Sequence, residues 1–163
     1  MLKHQRKFWD LENRIVLLIG GYGSGKTYIG ALKCIQMSYL NAPIPGMYIS
    51  PSHQLATKTI IETLKDICNR ASINYTYNQQ RSEFIFHNWN GVLWFGSGDK
   101  PDSLRGSNIA YSVIDEPFIQ KREVFNQMIA RVRHPDAVKS QIFLTGTPEK
   151  LNWGFALDND QSM

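Results

Sequence analysis

Gly20, Gly21, Tyr22, Gly23, Ser24, Gly25, Lys26 and Thr27 match the spacing G-x-x-x-x-G-K-[ST]. Glycines let successive backbone amides turn inward without Cβ clashes, so that they can bind phosphate oxygens. A helix opening at Lys26 would add the partial positive charge of its N-terminus to the same spot. Lys26 can neutralise the β- and γ-phosphates of a nucleoside triphosphate, and the Thr27 hydroxyl can ligate magnesium. These eight residues are therefore the expected ATP-binding set.

Asp115 and Glu116 follow the apolar run Val113-Ile114. A strand that ends in two adjacent carboxylates puts them where ligands bind in open α/β sheets. Asp115 is expected to reach the magnesium, directly or through water, and Glu116 to orient and polarise an attacking water. The glutamate narrows the class. Switch-type GTPases need a guanine-reading Asn-Lys-x-Asp segment, which is absent from the chain. Small nucleotide kinases do not ordinarily set a water-activating carboxylate beside the metal aspartate. The pattern fits P-loop ATPases that use a catalytic glutamate.

Further candidates surround this pair. Thr145 or Thr147, in Thr145-Gly146-Thr147-Pro148, could bond the γ-phosphate or the lytic water, or could merely end a strand in a turn. Arg105, Arg131 and Arg133 could each spread the negative charge that develops on the γ-phosphate, or could be solvated surface residues. Gln5, with Phe8 and Trp9, could read and stack on adenine, or these aromatics could pack on an element edge. Tyr22, Trp89 and Trp94 read first as packing residues, and His4, His53, His87 and His134 lack metal-ligand spacing.

The elements that must position these groups alternate in type. Ile15 to Ile19 is continuously apolar, as in a strand buried on both faces, and a helix is predicted from about Lys26 to Leu40, ahead of Pro43 and Pro45. Met47 to Ser50 reads as a strand, and Ile60, Ile61, Leu64, Ile67 and Cys68 mark a helix face. Glu83 to His87 and Val92 to Phe95 flank an Asn90-Gly91 pair, predicting an inserted β-hairpin. Ala110 to Ile114 and Gln141 to Thr145 are further buried strands, with a helix face at Val124, Phe125, Met128, Ile129 and Val132 between them. The expected fold is α/β: a mainly parallel sheet flanked by helices, RecA-like, with the hairpin inserted.

The chain has 163 residues, which fits one domain. Its apolar content of 42% is that of a globular protein, and no run approaches the roughly 20 apolar residues of a membrane span. The basic N-terminus lacks the apolar region of a signal peptide. Cys34 and Cys68 read as reduced core thiols. A net charge of +4 permits a nucleic-acid partner without demanding one.

The order Gln5, phosphate loop, Ser50-Pro51-Ser52-His53, Leu104-Arg105-Gly106, Ile114-Asp115-Glu116, Thr145-Gly146-Thr147-Pro148 and Leu151-Asn152-Trp153 resembles the ATPase domain of phage terminase large subunits. The resemblance covers about residues 1 to 155. It implies Mg-dependent ATP hydrolysis that drives double-stranded DNA into procapsids. It further implies a ring of identical subunits, portal and small-terminase partners, no membrane, and action in the host cytoplasm. By the same resemblance Gln5 reads adenine, Lys26 and Thr27 hold phosphate and magnesium, and Asp115 is the metal residue. Glu116 is then the catalytic carboxylate, Thr145 to Thr147 the coupling segment, and Arg105 an arginine finger acting in trans. Such proteins continue into a ribonuclease-H-like nuclease. This sequence ends at Met163, so residues 1–163 are expected to form the ATPase domain alone, with cleavage carried elsewhere. A helicase lobe and a nucleotide-sensing assembly module are the alternatives. A helicase more often continues Asp-Glu-x-Asp or Asp-Glu-x-His, where this chain has Pro117-Phe118.

Overall fold

The computed structural model describes residues 2–99, 106 and 108–147. It has a short N-terminal helix, α1 (Lys3–Asp10), then β1 (Ile15–Ile19), α2 (Lys26–Asn41) and β2 (Gly46–Ser50). A helical arm follows as α3 (His53–Ala56), a π-helical turn (Thr57–Ile61) and α4 (Glu62–Arg70). Three strands come next, β3 (Tyr75–Asn78), β4 (Glu83–Phe86) and β5 (Gly91–Ser97). The chain continues through β6 (Tyr111–Asp115), a 3-10 turn (Pro117–Ile119), α5 (Arg122–Arg131) and β7 (Gln141–Gly146).

The strands form one 7-stranded sheet in the order β1-β7-β6-β2-β5-β4-β3. Every pair from β1 to β5 in that order is parallel, and the β5-β4 and β4-β3 pairs are antiparallel. The hairpin expected around Asn90-Gly91 is β4 and β5, and its second strand is also a member of the parallel core, in register with β2 from Gly46↔Leu93 to Ser50↔Ser97. β5 can do both because its alternate residues feed different cores. Leu93 and Phe95 enter the larger cluster, while Trp94 packs on the smaller one.

The larger cluster joins α1, α2 and the helical arm to one sheet face, and the smaller joins α5 to the other. Along the arm, Ala56, Ile60, Ile61, Leu64, Ile67 and Cys68 are all buried. Ala56 and Ile60, four residues apart, share the face that the π-helical turn Thr57–Ile61 carries on into α4. Both cysteines are buried and free.

Within the larger cluster lies a charged group. Lys33 of α2 is 1% exposed, and burial pulls its pKa from 10.5 down to about 8, with the charge of Lys139 adding to the shift and Asp10 opposing it. Between pH 8 and 10.5 the unfolded chain holds a proton that the folded chain has released, so this group favours folding more as pH rises. Lys33→Met removes this titration but leaves Trp9 O and Gln36 Oε1 without their donor, at a cost of about 1–3 kcal/mol. The pH-dependent part is the clean readout: between pH 8 and 10.5 the unmodified chain should gain urea resistance relative to Lys33→Met, as paired urea titrations at the two pH values would measure.

Candidate active site

β1 ends at Ile19 and the chain turns through Gly20 to Gly25 before α2 begins at Lys26. Gly23 and Gly25 have φ of 72° and 78°, the left-handed region that side chains resist. Gly20 is tied to β7 through its amide, which donates to Gly146 O at 3.1 Å. The first helical bond of α2 runs from Ile29 N to Gly25 O, so the amides of Lys26, Thr27 and Tyr28 have no intrahelical acceptor. The Lys26 ammonium is folded over the loop, donating to Gly20 O at 2.7 Å and Gly21 O at 3.0 Å. Ser24 Oγ is buried there without a hydrogen-bond partner.

α1 braces this loop from outside. Gln5 Oε1 accepts from Leu2 N at 2.8 Å, the reach-back half of a capping box. Gln5 Nε2 donates to Ser24 O at 3.4 Å and Gly25 O at 3.3 Å, and His4 Nε2 lies 3.0 Å from Ser24 O. The Gln5 amide is thus engaged with main chain.

Asp115 sits at the C-terminal end of β6, 6% exposed and opposite Thr145 of β7 in the ladder. Thr145 Oγ1 donates to Asp115 Oδ1 at 3.1 Å. Burial raises the pKa of Asp115, and the neighbouring Glu116 charge adds to it. The Tyr48 hydroxyl, Thr145 and the Lys26 charge act in the opposite sense. Glu116 leaves the strand with φ 47°, a left-handed conformation that costs a non-glycine residue about 1–2 kcal/mol. That strain turns its carboxylate toward β7, where Oε2 accepts from Thr147 N at 2.7 Å and Oε1 from Thr147 Oγ1 at 2.9 Å.

An open cleft of about 780 Å³ joins these parts. Residues 22–27 of the loop, Asp115 and Glu116 line it together with Leu55, Lys58, Thr59, Glu62, Thr63 and Asp66 of the helical arm. Its charged lining residues are Lys26 and Lys58 against Glu62, Asp66, Asp115 and Glu116. The phosphate loop, the acidic pair and both threonines are therefore brought together. Tyr22 stands 85% exposed at the loop tip. Arg105, Pro148 and residues 151–153 lie outside the described residues. Arg131 donates through Nη1 to Gly106 O, and Arg133 Nε donates to Asn108 Oδ1 at 3.1 Å. Sequence reasoning missed the helical-arm wall and Tyr48. The first had a signal in the polar residues spaced between the apolar ones from Ile60 to Cys68, and the second is a tyrosine inside a buried strand.

The family model for the terminase large subunit, T4likevirus-type, N-terminal region matches residues 17–160. The chain belongs to that terminase family. The PBSX phage terminase large subunit of Bacillus subtilis (strain 168) is 26% identical over 150 residues, covering 90% of this chain and 34% of that protein. The large terminase of a thermophilic bacteriophage superposes with a TM-score of 0.75 at 16% identity, over 88% of this chain and 38% of that one. The Thermus phage P74-26 large terminase ATPase domain gives 0.70 at 16% identity, over 96% of this chain and 68% of that one. These superpositions show the terminase ATPase fold. The chain spans about a third of the length of the Bacillus terminase. The thermophilic-phage terminase has also been solved with ADP and with ATP-gamma-S.

In this terminase chain a Cβ added to Gly25 would run into Gln5 Nε2, at a left-handed φ, whereas one added to Gly21 meets open space. Gly25→Ala is expected to cost about 1–2 kcal/mol from the backbone alone. Gly21→Ala should leave urea unfolding unchanged, so parallel titrations of the two variants compare the positions directly.

Proposed function

We propose that residues 1–163 form a magnesium-dependent ATPase domain that drives double-stranded viral DNA into procapsids. The observation that carries this reading is the convergence of a phosphate loop and two adjacent strand-end carboxylates on one cleft. Family membership and the nucleotide complexes of the thermophilic-phage terminase support it.

The loop amides beyond Gly20, up to Thr27, and the Lys26 ammonium bind the β- and γ-phosphates. Lys26 exchanges the carbonyls of Gly20 and Gly21 for phosphate oxygens as it does so. Gln5 contributes from the adenine end, through the loop that it braces. The described cleft has fewer cationic than anionic side chains, so a triphosphate must enter with a cation of its own. The residues fit magnesium, which typically takes one or two protein oxygens and completes its shell with phosphates and water. Among the described residues no cluster of three His, Cys, Asp or Glu exists that would enclose a metal. Thr27 and Asp115 would hold the ion, and when bound it would offset charge on the phosphates. Glu116 orients and polarises the water that attacks the γ-phosphorus. Arg105, in trans from a neighbouring subunit of a ring, supplies the remaining positive charge. Thr145 of β7 and Thr147, the residue that follows its end, bond the two carboxylates, so a shift of either acid pulls on that strand. This supports coupling of hydrolysis to movement.

Portal protein and the small terminase subunit are the proposed partners, and the host cytoplasm the proposed place of action. Among the described residues no helix is long and apolar enough to cross a membrane.

Glu116→Gln is expected to lower ATP turnover by roughly 10²–10⁴-fold while nucleotide still binds. Lys26→Ala should weaken binding as well. Phosphate release and equilibrium binding of a fluorescent ATP analogue measure the two effects. Undiminished turnover in Glu116→Gln would remove the assigned role. A response of turnover to added DNA separates a motor from a passive nucleotide sensor.

A further inference from the structure

Lys33 lies outside the cleft, yet it touches the helix that braces the phosphate loop. Its Nζ donates to Trp9 O at 2.7 Å and to Gln36 Oε1 at 3.0 Å. The ammonium also sits 4.9 Å from the Trp9 ring centre and 5.0 Å from that of Phe143. Trp9 belongs to the last turn of α1, where carbonyls lack intrahelical donors and partial negative charge collects. The opposite end of the same helix holds the loop through His4 and Gln5. Between the two ends Phe8 is the fully buried apolar residue, edge-on to Phe143 at 5.7 Å. The other buried residue of α1 is Gln5 itself, and the Arg6–Asp10 ion pair faces solvent. α1 therefore has one deeply seated apolar anchor and a polar attachment at each end.

The groups that face Lys33 are Trp9 and Asp10 from α1, Gln36 from α2, Phe143 from β7 and Lys139 ahead of it. They do not repay its desolvation, since the proton is held less tightly than in water. An apolar side chain would serve the core at least as well. What an apolar side chain cannot do is fix the carbonyl end of α1.

We propose that Lys33 is a positioning residue, holding α1 as a strut that keeps the Ser24 and Gly25 carbonyls, and hence the loop amides, in their phosphate-binding arrangement. The strut rests on the nucleotide site proposed above only for its consequence. Its mechanics can be read without nucleotide.

Hydrogen–deuterium exchange on the nucleotide-free chain tests it, with Lys33→Met as the variant. Exchange in residues 3–10 and 20–26 is expected to quicken about tenfold, the effect of losing one charged hydrogen bond, while β2, β5 and β6 keep their rates. Unchanged exchange in residues 20–26 would overturn the strut. So would a rise spread evenly over the whole chain, which is what a purely structural lysine predicts. In the same variant the Kd for a fluorescent ATP analogue should rise about 3–10-fold, with kcat within about twofold. The double variant with Gln5→Ala should bind no more weakly than the weaker single variant, because both cut one strut. Additive losses would place Lys33 and Gln5 in separate roles and overturn it. If the loop responds to Lys33→Met but the unmodified chain binds no nucleotide, the strut stands and the proposed function falls.

Discussion

A buried carboxylate at the end of one strand, with a half-buried one directly after it, is the constraint around which the molecule is arranged. Burial makes ionisation of Asp115 unfavourable, and the charge on Glu116 makes it more so. Such a pair persists because hydrogen bonds from β7 and the residue after it fasten it, with Thr145 on the first acid and Thr147 on both oxygens of the second. The parallel order β1-β7-β6 then sets the spacing to the phosphate loop, since β7 is bonded to both neighbours. One strand thus separates the positive cradle from the negative pair, and whatever occupies the gap presses on that strand.

The two walls of the cleft differ in how they are built. The loop wall grows directly from β1, so its position follows from sheet pairing. It is locked from behind by α1, through main-chain carbonyls rather than through packing. The facing wall belongs to the helical arm, where the π-helical turn contributes Lys58 and Thr59 to the cleft. The result is a site whose anionic excess lies on both sides, with few fixed cations to satisfy it. A polyanion would be held there only with positive charge brought from outside the described cleft.

The chemistry-bearing segments were legible because they are local. The eight residues from Gly20 to Thr27 need only a strand before them and a helix after them, and the acids at 115 and 116 need only a buried strand. Four of the parallel strands, β1, β2, β6 and β7, were legible as apolar runs, whereas β5 read only as half of the hairpin and its parallel pairing with β2 did not show. β3 was not legible. Tyr75-Thr76-Tyr77-Asn78 is half polar, and what holds it as a strand is non-local: pairing with β4, Tyr75 stacked on Phe84 at 4.7 Å and Tyr77 against Phe84 and Phe95. α1 was equally hidden, since half of its residues are charged and its stability comes from Phe8, Gln5 and the buried Lys33, all tertiary contacts. Nor does periodicity reveal that Thr147 would clasp Glu116, because the left-handed backbone at Glu116 arises only where β6 meets the 3-10 turn.

A crystal structure of this chain grown with magnesium and ATP-gamma-S is the most direct measurement of the central claim. The terminal phosphorus is expected between the loop amides that follow Gly20 and the carboxylates of Asp115 and Glu116. The Lys26 ammonium should have moved off the carbonyls of Gly20 and Gly21 onto phosphate oxygens. A nucleotide seated elsewhere, or one seated here with Lys26 still bonded to those carbonyls, would contradict it.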